Sequence, residues 1–196
     1  MKFSIVLPVT LQPYKNCASN LPDKLIRAIN SVQAQTFTNW ELLIISDGCD
    51  RTMEVVEPFV SDKIRLFRIE KQKIWAGAVR NAGIFKAEGE YIIYIDADDY
   101  WGKDHLKKVA AGLKHYDWVY YNDWNGKTKQ ENSTSLRLGH CGTSTVCHKR
   151  SLGVYWGGDE YSHDYVLIQS LLQFKNFSKI ATPEYWVMHI PGQVDL

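Results

Sequence analysis

Asp96-Ala97-Asp98-Asp99 sets three carboxylates into four consecutive positions, directly after the run Tyr91-Ile92-Ile93-Tyr94-Ile95. That run is rich in β-branched and aromatic side chains and reads as a buried strand. The acidic group therefore stands where a strand leaves its sheet, and in open α/β sheets ligands bind beyond the carboxyl ends of the strands. Like charges this close repel unless a cation sits among them. Hard oxygen donors point to Mg2+ or Mn2+, which proteins usually hold with one or two carboxylates plus substrate phosphates. The plainer alternative is a solvated acidic turn capping a helix that starts near Lys103.

Two further groups have chemical potential. Asp47-Gly48 follows the apolar run Trp40–Ser46, where a carboxylate can accept from a nucleobase N–H or a ribose hydroxyl; Asp-Gly is also a common turn pair. Arg80-Asn81 lies in a helical stretch before the acidic strand, and the planar fork of Arg80 can pair with Asp47 or bond a base carbonyl, or simply form a surface ion pair. Gly77 and Gly83 flank this doublet, each costing a helix about 1 kcal/mol relative to alanine. Close approach of another backbone or a ligand accounts for that cost. His140-Cys141 and Cys147-His148 could supply two thiolates and two imidazoles to zinc, but the intervening residues read as a turn entering a strand. Alternating side chains there would point the four groups apart, so buried thiols are expected instead.

The elements that must position these residues alternate through the first half. Phe3–Leu7 is a strand ended by Pro8. Pro22 and Asp23 open a helix with Leu25, Ile26, Ile29 and Val32 on one face. Trp40–Ser46 is a continuous apolar strand of the kind buried on both faces. A helix capped by Asp50 or Thr52 reaches about Val60, Ile64–Ile69 is a strand, and Ala76–Lys86 is a helix closed by the Gly89 turn. Tyr91–Ile95 and a Lys103–His115 helix complete the series. The pattern predicts a mainly parallel sheet flanked by helices, with strands ending at Pro8, Asp47-Gly48, Glu70 and Asp96 along one edge. The second half reads as strand Trp118–Tyr121, a polar loop or hairpin over Gly126–Asn132, strand Thr143–His148, helix Ser162–Leu172 and strand Tyr185–His189.

With 196 residues and no Gly/Ser/Pro linker, one domain is expected over 1–196. A net charge of +1 provides no general electrostatic attraction to nucleic acid or an anionic membrane. Aromatics at 13% suit a site that stacks bases or sugars, and equally a packed core. No stretch has the length of a transmembrane helix, and no signal-peptide pattern precedes the first strand. Four cysteines lack disulfide-framework spacing, and a cytoplasmic protein is expected.

Several motifs in order now resemble a known family. Ile5-Val6-Leu7-Pro8-Val9, Ser31-Val32-Gln33-Ala34-Gln35-Thr36, Trp40 through Gly48, Ala78-Val79-Arg80-Asn81-Ala82-Gly83-Ile84, Ala87-Glu88-Gly89-Glu90-Tyr91-Ile92 and Asp96-Ala97-Asp98-Asp99 together resemble the inverting glycosyltransferases of family 2, with a GT-A fold. The resemblance covers Met1–Trp101, the nucleotide-sugar-binding half, with a smaller mixed acceptor-side half over 102–196. It implies a nucleotide-sugar donor, most often a UDP-sugar, and Mn2+ or Mg2+. Asp47 would contact the base, supported by Arg80, and the backbone around Pro8 and Val9 would line its pocket. Asp96 and Ala97 would lie near the ribose or diphosphate, and Asp98, with Asp96, would hold the metal.

The second half resembles the family more loosely. Asp164, in His163-Asp164-Tyr165-Val166-Leu167, aligns with the catalytic carboxylate, although His163 stands where the family has Glu. Asp159-Glu160 is a rival acidic pair. Tyr161 and Tyr165 could shape an acceptor pocket, and Trp156 could stack on a sugar. In many relatives the last strand presents a histidine to metal or diphosphate, which implicates His189. The acceptor is a hydroxyl-bearing molecule of unspecified class. A nucleotide-sugar binder without turnover remains an alternative. A nucleotidyltransferase fits less well, because Pro8-Val9-Thr10-Leu11-Gln12-Pro13 lacks the glycines of their phosphate loop.

Overall fold

Every residue of Phe3–Val9 (β1) and of Trp40–Asp47 (β2) is buried, which places these two apolar strands inside a sheet covered on both faces. The computed structural model describes residues 1–15, 17–72, 76–142, 144–157, 162–180 and 184–188. Helix α1 (Leu21–Gln33) joins β1 to β2, and α2 (Asp50–Val56) leads to β3 (Ile64–Ile69). Helix α3 (Gly77–Lys86) returns the chain to β4 (Tyr91–Tyr94). Then follow β5 (Tyr100–Trp101), α4 (His105–Gly112), β6 (Trp118–Tyr121), β7 (Asp123–Asn125), β8 (Glu131–Asn132) and β9 (Val146–Lys149). Helix α5 (His163–Leu171), β10 (Phe177–Ile180) and β11 (Tyr185–Val187) complete the described elements.

Seven strands form the main sheet in the order β10-β6-β9-β4-β1-β2-β3, and only β9 runs antiparallel to its neighbours. The chain moves from β1 outward to β3, then crosses back to place β4 on the other side of β1. Strand order thus reverses between β1 and β4, and ligands in such sheets bind in the crevice at that reversal. Alternation divides the core accordingly. Phe3, Ile5 and Leu7 pack with Leu25 and Ile29 of α1 and Leu106 of α4. Val6, Leu43 and Tyr94 pack on the other face with Val79 of α3 and Leu167 of α5. A second, four-stranded sheet has the order β5-β11-β7-β8.

The expected α/β class and mainly parallel sheet are present, with local corrections. Pro8 does not end β1, because the ladder to β4 already stops at the Val6–Tyr94 pair and leaves no partner there for the missing N–H. Neither Asp50 nor Thr52 caps α2: its N-cap is Cys49, and buried Thr52 instead accepts the Leu11 N–H at 3.3 Å. Strand β10 has no counterpart in the sequence reading. Four residues with a lysine give little periodicity, and β10 lies at the sheet edge, where a lysine blunts further pairing. The glycine argument for α3 holds at Gly83, where a Cβ would come within 2.5 Å of Val6 Cγ1. The α3 backbone rests there directly on the Val6 side chain.

Candidate functional site

The acidic turn follows β4 at the strand-order reversal, and it is tied down from three directions. The Asp99 N–H closes it on the Asp96 carbonyl at 3.1 Å, and Arg27 of α1 donates to the Asp98 carbonyl at 2.5 Å. Asp99 itself is buried and accepts from the Tyr185 hydroxyl at 2.7 Å and from the Met188 N–H at 2.8 Å. Tyr185 also accepts the Asp96 N–H at 3.1 Å. Burial, with the neighbouring Asp98 and Asp96 charges, pushes the Asp99 carboxyl well above the usual carboxylate range. Asp99 is therefore a tether between the turn and β11. Sequence reasoning grouped it with its neighbours and missed this, since its partners Tyr185 and Met188 lie 86 and 89 positions away.

Arg80 projects from α3 to the same turn. Its guanidinium is buried, donates to Asp96 Oδ1 and lies 4.7 Å over the Trp156 ring. Ser144 Oγ donates to Asp96 Oδ2 at 3.0 Å. Of the partners open to Arg80, Asp47 is not the one it meets. Asp47, at the end of β2, is held instead by Lys71 Nζ and by the Gln72 N–H at 2.6 Å. Gly48 makes this possible: it takes φ +62°, and a Cβ there would stand 2.6 Å from Lys71 Cβ. Lys71 and Ser144 were not singled out from sequence, since each is an isolated polar residue with no periodic signal.

Trp156 also departs from expectation. It is 4% exposed, with Tyr94 edge-on at 4.9 Å, His163 at 5.6 Å and Arg80 above it, so no face is left for a sugar. Asn81 fixes its backbone, accepting the Trp156 N–H at 2.9 Å and donating to the Trp156 carbonyl at 3.1 Å. The Arg80-Asn81 doublet thus works in two directions from one helical turn. Beyond Trp156, α5 begins at His163, with Asp164 partly exposed in its first turn and accepting the Tyr165 N–H at 2.7 Å. The N-terminal end of a helix favours an ionised carboxylate. Burial and the Arg80 charge lower the His163 pKa, while Asp164 and Asp96 oppose them. The start of α5 therefore shares one electrostatic neighbourhood with Asp96. Burial and the Asp164 charge push the Cys141 thiol up to about 11. Asp159, Glu160, Tyr161 and His189 lie outside the described residues.

Among the described residues no three His, Cys, Asp or Glu side chains converge as a ready metal cage. Asp96 meets Arg80 and Ser144 and both Asp99 oxygens accept inward, while Asp98, between them in the chain, is partly exposed. Tyr14, in the segment after β1, is 55% exposed, and desolvation with the Asp98, Cys17 and Asp96 charges raises its hydroxyl pKa. This donor set fits an ion held by one carboxylate and completed by substrate phosphates, the usual arrangement for Mg2+. At the other pair of histidines and cysteines, Cys147 faces one core layer while His148 bonds Tyr94 in the other, at 2.7 Å.

The sequence profile described as "Glycosyl transferase family 2" matches residues 12–151. The chain belongs to this family. The family 2 chain is 30% identical over 176 residues to the Escherichia coli UDP-Glc:alpha-D-GlcNAc-diphosphoundecaprenol beta-1,3-glucosyltransferase WfgD, covering 82% of this chain and 69% of that one. It is also 30% identical over 120 residues to the poly(ribitol-phosphate) beta-N-acetylglucosaminyltransferase TarS of Staphylococcus aureus, over 59% of this chain and 19% of TarS. The chain thus spans about a fifth of TarS. Crystalline TarS with UDP-GlcNAc superposes with a TM-score of 0.79 at 20% identity, covering 98% of this chain and 60% of that one. The mannosyltransferase PcManGT of Pyrobaculum calidifontis, in complex with GDP-Man and Mn2+, superposes with a TM-score of 0.71 at 13% identity, covering 98% and 58%. These likenesses identify the fold as GT-A. No helix among the described residues is long and apolar enough to cross a membrane.

Proposed function

We propose that this family 2 chain transfers a sugar from a UDP-sugar to an acceptor hydroxyl, with inversion at the anomeric carbon. The observation that carries the reading is the Arg80–Asp96–Ser144 assembly at the strand-order reversal, with Asp98 presented beside it. UDP-GlcNAc bound to TarS supports the choice of donor. In this reading Asp47, with the backbone of Pro8 and Val9, meets the nucleoside, and Asp96 and Ala97 flank the ribose and diphosphate. Asp98 would hold Mn2+ or Mg2+, and such an ion offsets negative charge on the departing diphosphate. Asp164 accepts the acceptor's hydroxyl proton as that oxygen bonds to the anomeric carbon. The bond from that carbon to the diphosphate breaks, its electron pair leaving with UDP, so no enzyme nucleophile is required. Cysteines 17, 49, 141 and 147 are all free thiols, which suits the reducing cytoplasm where nucleotide sugars serve as donors.

The test is release of UDP from a panel of UDP-sugars with and without Mn2+. Asp98→Asn should abolish the metal-dependent part while keeping the fold. Asp164→Asn should keep donor affinity and lower turnover by about 10²–10⁴-fold, the usual share of general base catalysis. Near-parent turnover in Asp164→Asn, with loss in Asp159→Asn, would assign the base to Asp159. Tight UDP-sugar binding without any release would leave a binder that does no chemistry.

A further inference from the structure

The small sheet turns one row of side chains inward. Trp101 of β5 pairs with Tyr185 of β11, and Asp123 of β7 pairs with Asn132 of β8. Strands β11 and β7 are joined one position along, where Trp186 pairs with Trp124. Successive strand positions face opposite ways, so Tyr185 and Asp123 share the face opposite those tryptophans, on neighbouring strands about 4.8 Å apart. The Tyr185 hydroxyl accepts the Asp96 N–H and donates to Asp99, so this face is tied to the acidic turn. The main sheet brings the same residues together. Strands β4 and β6 run parallel on either side of β9, and Asp96 and Asp123 each stand two positions past their strand ends at one edge.

Asp123 is a buried carboxylate, 9% exposed, that the mechanism above does not use. Asn132, itself exposed, donates to its Oδ1 at 2.6 Å. Among the described residues no donor meets Oδ2 and no cation pairs with the charge. Burial raises the Asp123 carboxyl pKa, and the Asn132 hydrogen bond opposes that rise. Gly142, where a Cβ would stand 3.8 Å from Oδ2, has no side chain to cover that oxygen. Two positions on, Ser144 donates to Asp96 Oδ2. Pairing of β7 with β8 does not account for a charge here, since an asparagine would accept from Asn132 equally well.

We propose that Asp123 is a specificity residue for the transferred sugar: its Oδ2 accepts from a sugar hydroxyl, and its charge selects neutral UDP-sugars over UDP-uronic acids. The proposal rests on the glycosyltransferase reading and adds the donor class to it. With the diphosphate at the Asp98 turn, the sugar is the next group along the donor, and Asp123 stands one strand beyond Tyr185. A carboxylate short of donors gains a charge-assisted hydrogen bond from a hydroxyl that reaches it, the stronger kind of hydrogen bond. A uronic acid would bring a second carboxylate to a partly desolvated place with no cation to receive it. Repulsion between the two is strong where the dielectric is low, and it rejects the charged sugar.

The test is calorimetry on the full chain with Mn2+, comparing UDP, UDP-glucose, UDP-galactose, UDP-N-acetylglucosamine and UDP-glucuronic acid. At least one neutral donor should bind the parent about tenfold or more tightly than UDP-glucuronic acid does. Asp123→Asn keeps the shape and the bond from Asn132 but removes the charge. It should weaken the best neutral donor by about 10–100-fold, keep the parent's affinity for UDP and narrow the gap to UDP-glucuronic acid. Asn132→Ala, at an exposed position, frees the carboxylate to turn and should weaken the same donor by about threefold; it decides the matter if Asp123→Asn does not fold. Equal loss for UDP and the UDP-sugar in Asp123→Asn would mark a structural role and overturn the proposal. So would variants that bind every donor as the parent does, or a parent that prefers UDP-glucuronic acid. A parent that binds no UDP would instead strike the donor reading, and the proposal with it, which keeps the two failures distinct.

Discussion

Replacing Arg80 by methionine keeps most of the aliphatic stem and removes a guanidinium that is buried between Asp96 and the Trp156 ring. The Arg80 side chain is 4% exposed and that of Asp96 is 26% exposed, so water cannot take over the lost contacts at Arg80 and only partly at Asp96. Breaking one side of a buried pair costs about 3–5 kcal/mol, because the other charge is left uncompensated. The lost stack on Trp156 is a smaller contribution, since a desolvated cation–π contact is worth about 2 kcal/mol. Asp96 is also the neighbour of Asp98, so its reorientation should weaken UDP binding together with stability. The assay is a double-mutant cycle in urea with Arg80→Met, Asp96→Asn and both together. If the pair is the main interaction, the double variant should be less destabilised than the two single losses combined, with a coupling of about 2–3 kcal/mol. A coupling under about 0.5 kcal/mol would show that Arg80 stabilises through packing alone. Asp96 would then not be held by the Arg80 charge.

Acid should destabilise the protein through two buried imidazoles. Burial lowers His105 to about 3 and His148 to about 4, from 6.5 when exposed. Both groups therefore stay neutral in the fold while the unfolded chain takes up protons. Their contribution is fully present above pH 6.5 and is lost as pH falls through the window down to about 4 and then 3. At 1.36 kcal/mol per unit, His105 can cost up to about 5 kcal/mol and His148 about 3 kcal/mol. Denaturant melts at pH 7.0 and 4.5 should differ by several kcal/mol, and a flat profile would refute the burial argument. Gly48→Ala should cost at least about 1–2 kcal/mol for its left-handed backbone, and more because the new Cβ meets Lys71. Calorimetry should show weaker UDP binding in that variant, with the Mn2+ dependence retained; unchanged UDP affinity would remove Asp47 from the nucleoside site.

Local periodicity made much of the fold legible. Alternating apolar runs and helical stripes through Lys86 marked β1 to β3 and α1 to α3, because strands and helices of that length carry their burial pattern in adjacent residues. The family motifs did the same for the identity of the fold as GT-A. Partners were a different matter. Arg80 bonds Asp96 rather than Asp47, Asp99 is tied to Tyr185 and Met188, and Trp156 lies under Arg80 rather than open to a sugar. These contacts span from 16 positions, for Arg80 and Asp96, to 89, for Asp99 and Met188. No spacing rule encodes them. The sequence by itself determined which side chains reach the carboxyl edge of the sheet. Only closure of β11 against the acidic turn, and of α3 beneath it, decided which carboxylate is buried as a tether and which is neutralised by Arg80, because burial and charge pairing are set by neighbours in space.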